Sequence, residues 1–516
     1  MSDVTQSRAS SEMRADPRRW WALVVLSMAV LLVAVDNTIL AVAIPSLSQD
    51  LSATAEQLLW IGDIYSFVLA GLLITMGNIG DRVGRKRLLS IGLVAFAACS
   101  VLAAFSPTAE TLILSRALLG VAGATLMPST LSLIRHTFPN AKERTFAISV
   151  WSATAAAGGG LGPLLGGFLL EHYWWGSVFL VNVPIAMVIL GMGAWALRES
   201  RNPNPGPLDL ISVALSLVGI LTLVAGIKEM AMSGFDHPET VVFLLVGLMS
   251  LTWFVRRQLR LESPLMDIRL FRIPAFGGAV SAQLISVFGL MGVYFFLAQQ
   301  FQLVDGDSPL QAGLQLLPAE VAALCGALLA GRIINRFGRK LTIVSGISLG
   351  TLGLLGLGVI HLEGFVPVTI SIMLVGLGFG ASLTATADAI LTAAPPERAG
   401  SAGGVAETAY ELGTALGIAI LGSILGAWYR RVVEVPADLP PEASAAVGDS
   451  LTTTYGAIAR VPTEIADQML AASRIAFTDA FAVTCLVAAG ICGIGALVAY
   501  WVLPKRSEES AQVEEQ

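Results

Sequence analysis

Charge is what this chain lacks. Asp, Glu, Lys and Arg make up 13% of its 516 residues, against roughly 25% in an ordinary soluble domain, so it cannot clothe a globule in water-loving groups. Cysteine is scarce too. Cys99, Cys325, Cys485 and Cys492 all lie in apolar blocks, form no CxxC pair and have no His nearby. They read as small buried hydrophobes, which leaves no disulfide framework and no zinc site. No G-x-x-x-x-G-K-[S/T] occurs, so an ATP-driven pump is unsupported. No nucleophile triad or metal cluster occurs either. An enzyme is not expected, nor a cofactor, nor a nucleic-acid partner. The net charge of −6 carries little information, because it averages opposite sides of whatever the chain crosses.

What is abundant is apolar sequence in long blocks: 55% of residues are hydrophobic. Runs of about 20 apolar residues read as membrane-spanning helices, and the period-two alternation of a membrane β-barrel is absent. The fold class is all-α and polytopic. Fourteen spans are expected, at 20–44, 58–79, 88–105, 111–134, 145–170, 174–196, 210–231, 240–256, 275–300, 309–331, 341–360, 365–392, 399–427 and 477–503. The first, "WWALVVLSMAVLLVAVDNTILAVAI", is too long for a signal-peptide core and is read as retained.

Lys and Arg sort by side. Of 31, twenty-five fall in the tails and alternate connectors, and Arg116 is intramembrane. Five lie on the opposite side: Lys228, Arg430, Arg431, Arg460 and Arg474. By the positive-inside rule both termini are cytoplasmic, and a bacterial cytoplasmic (inner) membrane is the expected location. The connector 428–476 then faces outside. Its segment 464–477 is expected to be a solvated loop or a short amphipathic helix.

A repeat organises the chain. Residues 77–86, "GNIGDRVGRK", and 331–340, "GRIINRFGRK", share G-x-x-x-[D/N]-R-x-G-R-K in register. The copies are eight spans apart, so two extra helices separate two six-helix halves, giving 6 + 2 + 6. The expected organisation is a tail 1–19, a six-helix half 20–196, and a linker with two inserted helices 197–256. A second half 257–503 contains the loop 428–476, and a tail 504–516 follows.

These residues resemble the major facilitator superfamily, in its fourteen-helix drug:proton antiporter branch. "GNIGDRVGRKRLL" is similar to the family's loop 2–3 motif, and "LVAVDNTILAVAIPSL" (32–47) to the branch's helix 1 motif, departing from it at Val35 and Ala41. "RALLGVAGATLMP" (116–128) resembles the helix 4 motif. "GGGLGPLLGGFLL" (158–170), with Gly158, Gly162, Pro163, Gly166 and Gly167, resembles the helix 5 antiporter signature. "ETAYELG" is similar to helix 13 of quaternary-ammonium and methyl viologen efflux pumps. The resemblance implies that the loops bearing Gly77, Asp81, Arg82, Gly84 and Arg85, and Arg336, Gly338 and Arg339, act as cytoplasmic latches, and that Arg116 takes part in proton transfer.

Independently of family, the ionisable residues at membrane depth are Asp36, Asp63, Arg116, Glu320, Asp388, Glu407 and Glu411. A charge at mid-membrane costs roughly 2.5–3.5 kcal/mol even on the lenient scale, and needs a partner or a task. Asp36, Asp63 and Arg116 sit at similar depth, which allows an Asp–Arg pair. Glu407 and Glu411, at i and i+4, share a helix face beside Tyr410, while Ala406, Gly413 and Gly417 form a small strip a quarter to a third of a turn away. Two carboxylates so close resist joint ionisation, so a proton or a cation is expected to neutralise them in turn. Asp36, Asp63, Arg116, Glu407 and Glu411 are the expected proton-coupling set. Glu407, Glu411, Tyr410, Glu320, Trp60, Tyr65 and Trp151 are the expected cation-binding set, in a cavity between the halves. Asp388, near a span end, reads as boundary charge.

The expected function is proton-coupled export of lipophilic mono- and dications by alternating access, by a monomer in the bilayer. Export of a native metabolite or siderophore-like solute, and a transporter-like sensor that moves nothing, remain as alternatives.

Overall fold

The computed structural model describes residues 18–504 except 52, 54, 203–208, 234–236, 263, 361–363, 437–438 and 459–460. The expected tails through residue 17 and from 505, and most of the Pro-rich linker, lie outside the described residues.

Among the described residues no strand occurs, and fourteen helices are long and apolar enough to cross a membrane. The expected class and count are therefore borne out. The first six are α1 (Arg18–Asp50), α2 (Ala55–Val83), α3 (Arg85–Ala104), α4 (Ala109–Thr137), α5 (Ala141–His172) and α6 (Ser177–Ala196). Then come α7 (Leu210–Ser233), α8 (Pro238–Gln258), α9 (Pro274–Gln299), α10 (Pro309–Phe337), α11 (Arg339–Ile360), α12 (Phe365–Ala393) and α13 (Ala399–Val432). Two short helices, α14 (Pro441–Asp449) and α15 (Leu451–Ala457), precede the last span, α16 (Thr463–Val502). Segment 464–477 is thus the first part of a 40-residue helix, which corrects the expected loop or separate short helix. No Gly or Pro interrupts residues 463–489, so nothing stops the helix there.

The chain divides into two compact units. Unit 1 holds α1–α6 and the start of α13 as Pro395–Gly404; unit 2 holds α7–α12, the rest of α13 and α14–α16. In unit 1, α1 packs on α5 and α2 on α4. The α1–α5 approach depends on glycine: a Cβ on Gly162 would lie 2.0 Å from Thr38 Oγ1, and one on Gly158 would lie 2.5 Å from the Ala34 Cβ. Gly166 is buried, whereas Pro163 is exposed and Gly167 has open space around its Cβ position.

In unit 2, α12 packs on α10 and α11, and α9 on α12 and α16. Helices α7 and α8 pack on each other. Their joint is polar: Arg257 donates two hydrogen bonds to Asp209, at 2.7 and 3.0 Å, and Gln258 donates to Ser212 at 2.5 Å. The rest of α8 is apolar and open, with Met249 70% exposed, as a lipid-facing helix requires.

Both copies of the repeat turn on a glycine with positive φ, Gly84 at 117° and Gly338 at 90°. A side chain would be strained at either, and each glycine hands the chain directly to the next helix.

Candidate functional site

Two clusters gather five of the ionisable residues at membrane depth: Asp36 with Arg116 in unit 1, and Glu320, Glu407 and Glu411 in unit 2. In unit 1, α4 brings Arg116 against Asp36 of α1, with Nη1 3.0 Å from Oδ2 and both side chains 0% exposed. The other Asp36 oxygen accepts from Asn182 Nδ2 of α6 at 2.6 Å, and Asn182 also donates to Ser100 Oγ of α3 at 3.2 Å. Arg116 Nε donates to the Ile61 carbonyl at 3.2 Å, and the guanidinium lies 4.5 Å from the Tyr65 ring centroid. Five helices meet at one ion pair. Breaking a pair so buried by removing one partner leaves a stranded charge. Asp63 is half-buried on α2.

The aromatics expected to meet a cation differ in their surroundings. Tyr65 lies under Arg116. Trp151 is buried and donates to Thr130 Oγ1 at 3.2 Å, tying α5 to α4. Trp60 is exposed, edge-on to Phe67.

The first copy of the repeat grips the start of α13. Asp81 accepts from the backbone N–H of Gly400 and Ser401 at 3.0 and 3.1 Å and from Arg85 Nε at 2.9 Å. A carboxylate at a helix N-terminus satisfies orphan donors and opposes the dipole. Arg85 reaches on to Ser200 Oγ at 2.8 Å and to the Pro396 carbonyl at 2.9 Å. Arg82 donates to Asn78 at 2.5 Å, and a Cβ on Gly77 would lie 2.2 Å from the Gly400 carbonyl. In the second copy Arg339 Nε donates to Asp388 at 2.6 Å and Nη2 to Thr392 Oγ1 at 3.2 Å, while Arg336 is exposed and lies over Phe337. Asp388 is therefore a fully buried ion-pair partner on α12, which corrects its reading as boundary charge. The depth argument placed it near a span end but could not see Arg339 curling back to it.

In the unit 2 cluster, Glu320 and Glu407 have no such anchor among the described residues. On α13, Glu407 is buried, and Tyr410 and Glu411 are half-buried. Tyr410 lies within electrostatic reach of Glu407, Glu411 and Glu320 of α10, and Tyr294 of α9 within reach of Glu320. Neither Glu320 nor Glu407 makes a hydrogen bond or ion pair with any described residue. The small strip packs on α9: a Cβ on Gly413 would lie 2.8 Å from the Leu284 carbonyl, and one on Gly417 would lie 2.5 Å from that of Phe288.

Sequence reasoning missed Asn182 and Gln283. Gln283 Nε2 donates to the Ala406 carbonyl, next to Glu407, at 2.8 Å, and its Oε1 is enclosed without a partner, as is the Tyr294 hydroxyl. The signal was an amide inside an apolar span, "FLVNVP" and "SAQLI", as much in need of a partner as a charge.

Comparison with known proteins follows this geometry. The profile of the family described as Major Facilitator Superfamily matches residues 26–418. The chain is 44% identical over 480 residues to the multidrug efflux pump LfrA of Mycolicibacterium smegmatis, covering 93% of this chain and 95% of that one. It is 38% identical over 462 residues to the methyl viologen resistance protein SmvA of Salmonella typhimurium, covering 89% and 93%. It is 32% identical over 512 residues to the tetracenomycin C resistance and export protein of Streptomyces glaucescens, covering 96% and 94%. Among solved structures, the human organic anion transporter MFSD10 (TETRAN) aligns with a TM-score of 0.63 at 15% identity, covering 94% and 100%. The proton:xylose symporter XylE aligns at 0.58 and 14%, covering 94% and 96%. These structural likenesses speak to the fold.

Proposed function

This chain belongs to the major facilitator superfamily, a family of transporters, and we propose that it is a proton-coupled multidrug efflux antiporter for lipophilic mono- and dications. Quaternary ammonium compounds, cationic dyes, biguanides and viologens are the cargo class. The cycle is alternating access in a bacterial inner membrane, with both termini cytoplasmic.

The observation that carries this reading is that, among the described residues, Glu320 and Glu407 have no ion-pair partner. A carboxylate at depth is tolerated when protonated or paired. With no fixed base, the neutralising charge is mobile, and proton and cationic cargo exclude each other. Proton entry then drives release. Each charge moved is worth about 2.3 kcal/mol per 100 mV, so a dication gains from the electrical term only against three or more protons. Several titratable acids serve that stoichiometry. Asp36 and Arg116 complete the proton path in this reading, and Tyr410 supplies a ring face for the cation. The names of LfrA, a multidrug efflux pump, and SmvA, a methyl viologen resistance protein, support this reading.

The test is a resistance profile in a pump-deficient bacterial host. The chain is expected to protect against both mono- and dicationic biocides. Protection against neither, with the protein present in the membrane, rejects the reading. A second reading, export of one native metabolite, is favoured by the tetracenomycin C exporter among the relatives. It predicts protection against a single neutral or anionic compound.

A further inference from the structure

Helix α9 does not end as an ordinary helix. Its last turn, Gln300–Val304, is a π-turn, a wider and rarer winding that concentrates at functional places. Helix C-termini leave carbonyls without partners in the helix. Here the Leu303 carbonyl is met from outside by two donors, the Tyr455 hydroxyl at 2.7 Å and Arg474 Nε at 3.1 Å. Arg474 Nη2 donates in turn to the Tyr455 oxygen at 2.8 Å, closing the triangle. A guanidinium also sits favourably at the negative end of a helix dipole. About one turn further along α16, Thr478 and Gln300 exchange hydrogen bonds at 3.1 and 3.3 Å.

The donors stand on a packed base. Ala443 and Val447 of α14 and Met469 of α16 form a small buried core, with Ile458, Ile465 and Ala472 against it. Tyr429 at the end of α13 donates to the Val447 carbonyl at 2.9 Å, and Thr454 and Ser473 hydroxyls meet at 2.9 Å. This segment is a cap with its own interior.

Helix α9 is also the element that carries Gln283 and Tyr294. They are eleven residues apart, within about 20° of the same face at 3.6 residues per turn. Gln283 holds the Ala406 carbonyl, one residue before Glu407, and Tyr294 lies within electrostatic reach of Glu320. Any rotation of α9 moves both against the acids. A π-turn that relaxed to α-helix would turn the segments on its two sides relative to each other by one residue's step, about 100° in total.

We propose that Arg474 and Tyr455 are positioning residues that fix the winding of α9, and through it the grip of Gln283 on the α13 backbone that carries Glu407. For transport, this rests on the efflux reading above. Its structural part stands alone.

The experiment uses the full chain in nanodiscs and inverted vesicles, with the variants Arg474→Ala, Arg474→Lys and Tyr455→Phe. The last removes a single hydroxyl, so the protein still folds if Arg474→Ala does not. Amide hydrogen exchange is followed over residues 299–307 and, as a control, over 443–447. Transport of a monocationic dye gives KM and kcat per folded protein. The proposal expects faster exchange at 299–307 but not at 443–447. It also expects KM to rise about three- to tenfold at Arg474→Ala, equivalent to a change of up to one tenfold step in binding, with kcat changed less and Arg474→Lys between wild type and Ala. Unchanged exchange at 299–307 in both Arg474→Ala and Tyr455→Phe overturns it. So does looser exchange with KM unmoved, which would make the clamp a local fastening only. A wild type that moves no dye rejects the efflux reading instead, and the exchange arm then decides the clamp alone.

Discussion

Two sets of buried carboxyl groups in one chain are treated in opposite ways. In unit 1, Asp36 is saturated: Arg116 on one oxygen, Asn182 on the other, and no exposure at all. In unit 2, Glu407 is also buried, yet neither it nor Glu320 has a fixed partner among the described residues. An acid whose neutralising charge is built into the fold must open that pair before it can exchange a proton. An acid without one must take its counter-charge from outside, as a proton or a cation. Burial alone does not distinguish them; partnership does.

The sharpest way to break this comparison is to remove one acid from each set. Asp36→Ala leaves Arg116 stranded in an interior with no exposure. Losing one partner of such a pair costs about 3–5 kcal/mol, so a large drop in the thermal midpoint in detergent is expected, largely recovered in Asp36→Ala/Arg116→Met. Glu407→Gln removes no partner from anything and should leave the midpoint unchanged or higher. Equal losses at both positions would erase the distinction.

The two copies of the repeat offer a smaller contrast of the same kind. Asp81 serves as N-terminal acceptor for α13 and as partner to Arg85, whereas the matching position in the second copy is Asn335, and the acid comes from Asp388 on α12. Asp81→Ala removes a helix cap, worth about 0.5–2 kcal/mol, together with an ion pair. It should speed proteolytic nicking in 395–404 more than Asn335→Ala does. Equal nicking in the two variants would mean that the start of α13 is held by something other than Asp81.

The smallest effect is expected at the joint of α7 and α8. The two hydrogen bonds from Arg257 hold the Asp209 carboxyl well below the usual Asp range. A group depressed in the folded state stabilises above its unfolded value, about 3.9, and loses that contribution only as pH falls through the lower folded value. Asp209→Asn should therefore lower the thermal midpoint slightly, and by the same margin at pH 5 and pH 8. A margin that had already collapsed at pH 5 would contradict the depressed carboxyl.

How much of this was legible beforehand follows from what a linear pattern can encode. The fourteen spans were, because each apolar block is longer than any soluble element needs and polar connectors separate them. The repeated glycine turn was, because Gly84 and Gly338 occupy the same place in two copies of one motif. Depth along a span constrained which acids could meet Arg116, but depth is one coordinate. Rotation about each helix chose Asp36 and added Asn182. Asp388 was misjudged for the same reason, since its partner comes from the loop copy 49 positions away. The cap failed to show because its donors, Tyr455 and Arg474, are ordinary surface residues until the Leu303 carbonyl is brought to them.

The central claim is that the partnerless carboxyls of unit 2 exchange protons for positively charged cargo. The most direct test is proton release from energised inverted vesicles, read by a pH-sensitive dye on adding a quaternary ammonium compound, with wild type and Glu407→Gln at matched protein levels. Dequenching in the wild type and its absence in Glu407→Gln is the predicted result. Equal dequenching in both would mean that Glu407 carries no proton in the cycle, and would contradict the claim.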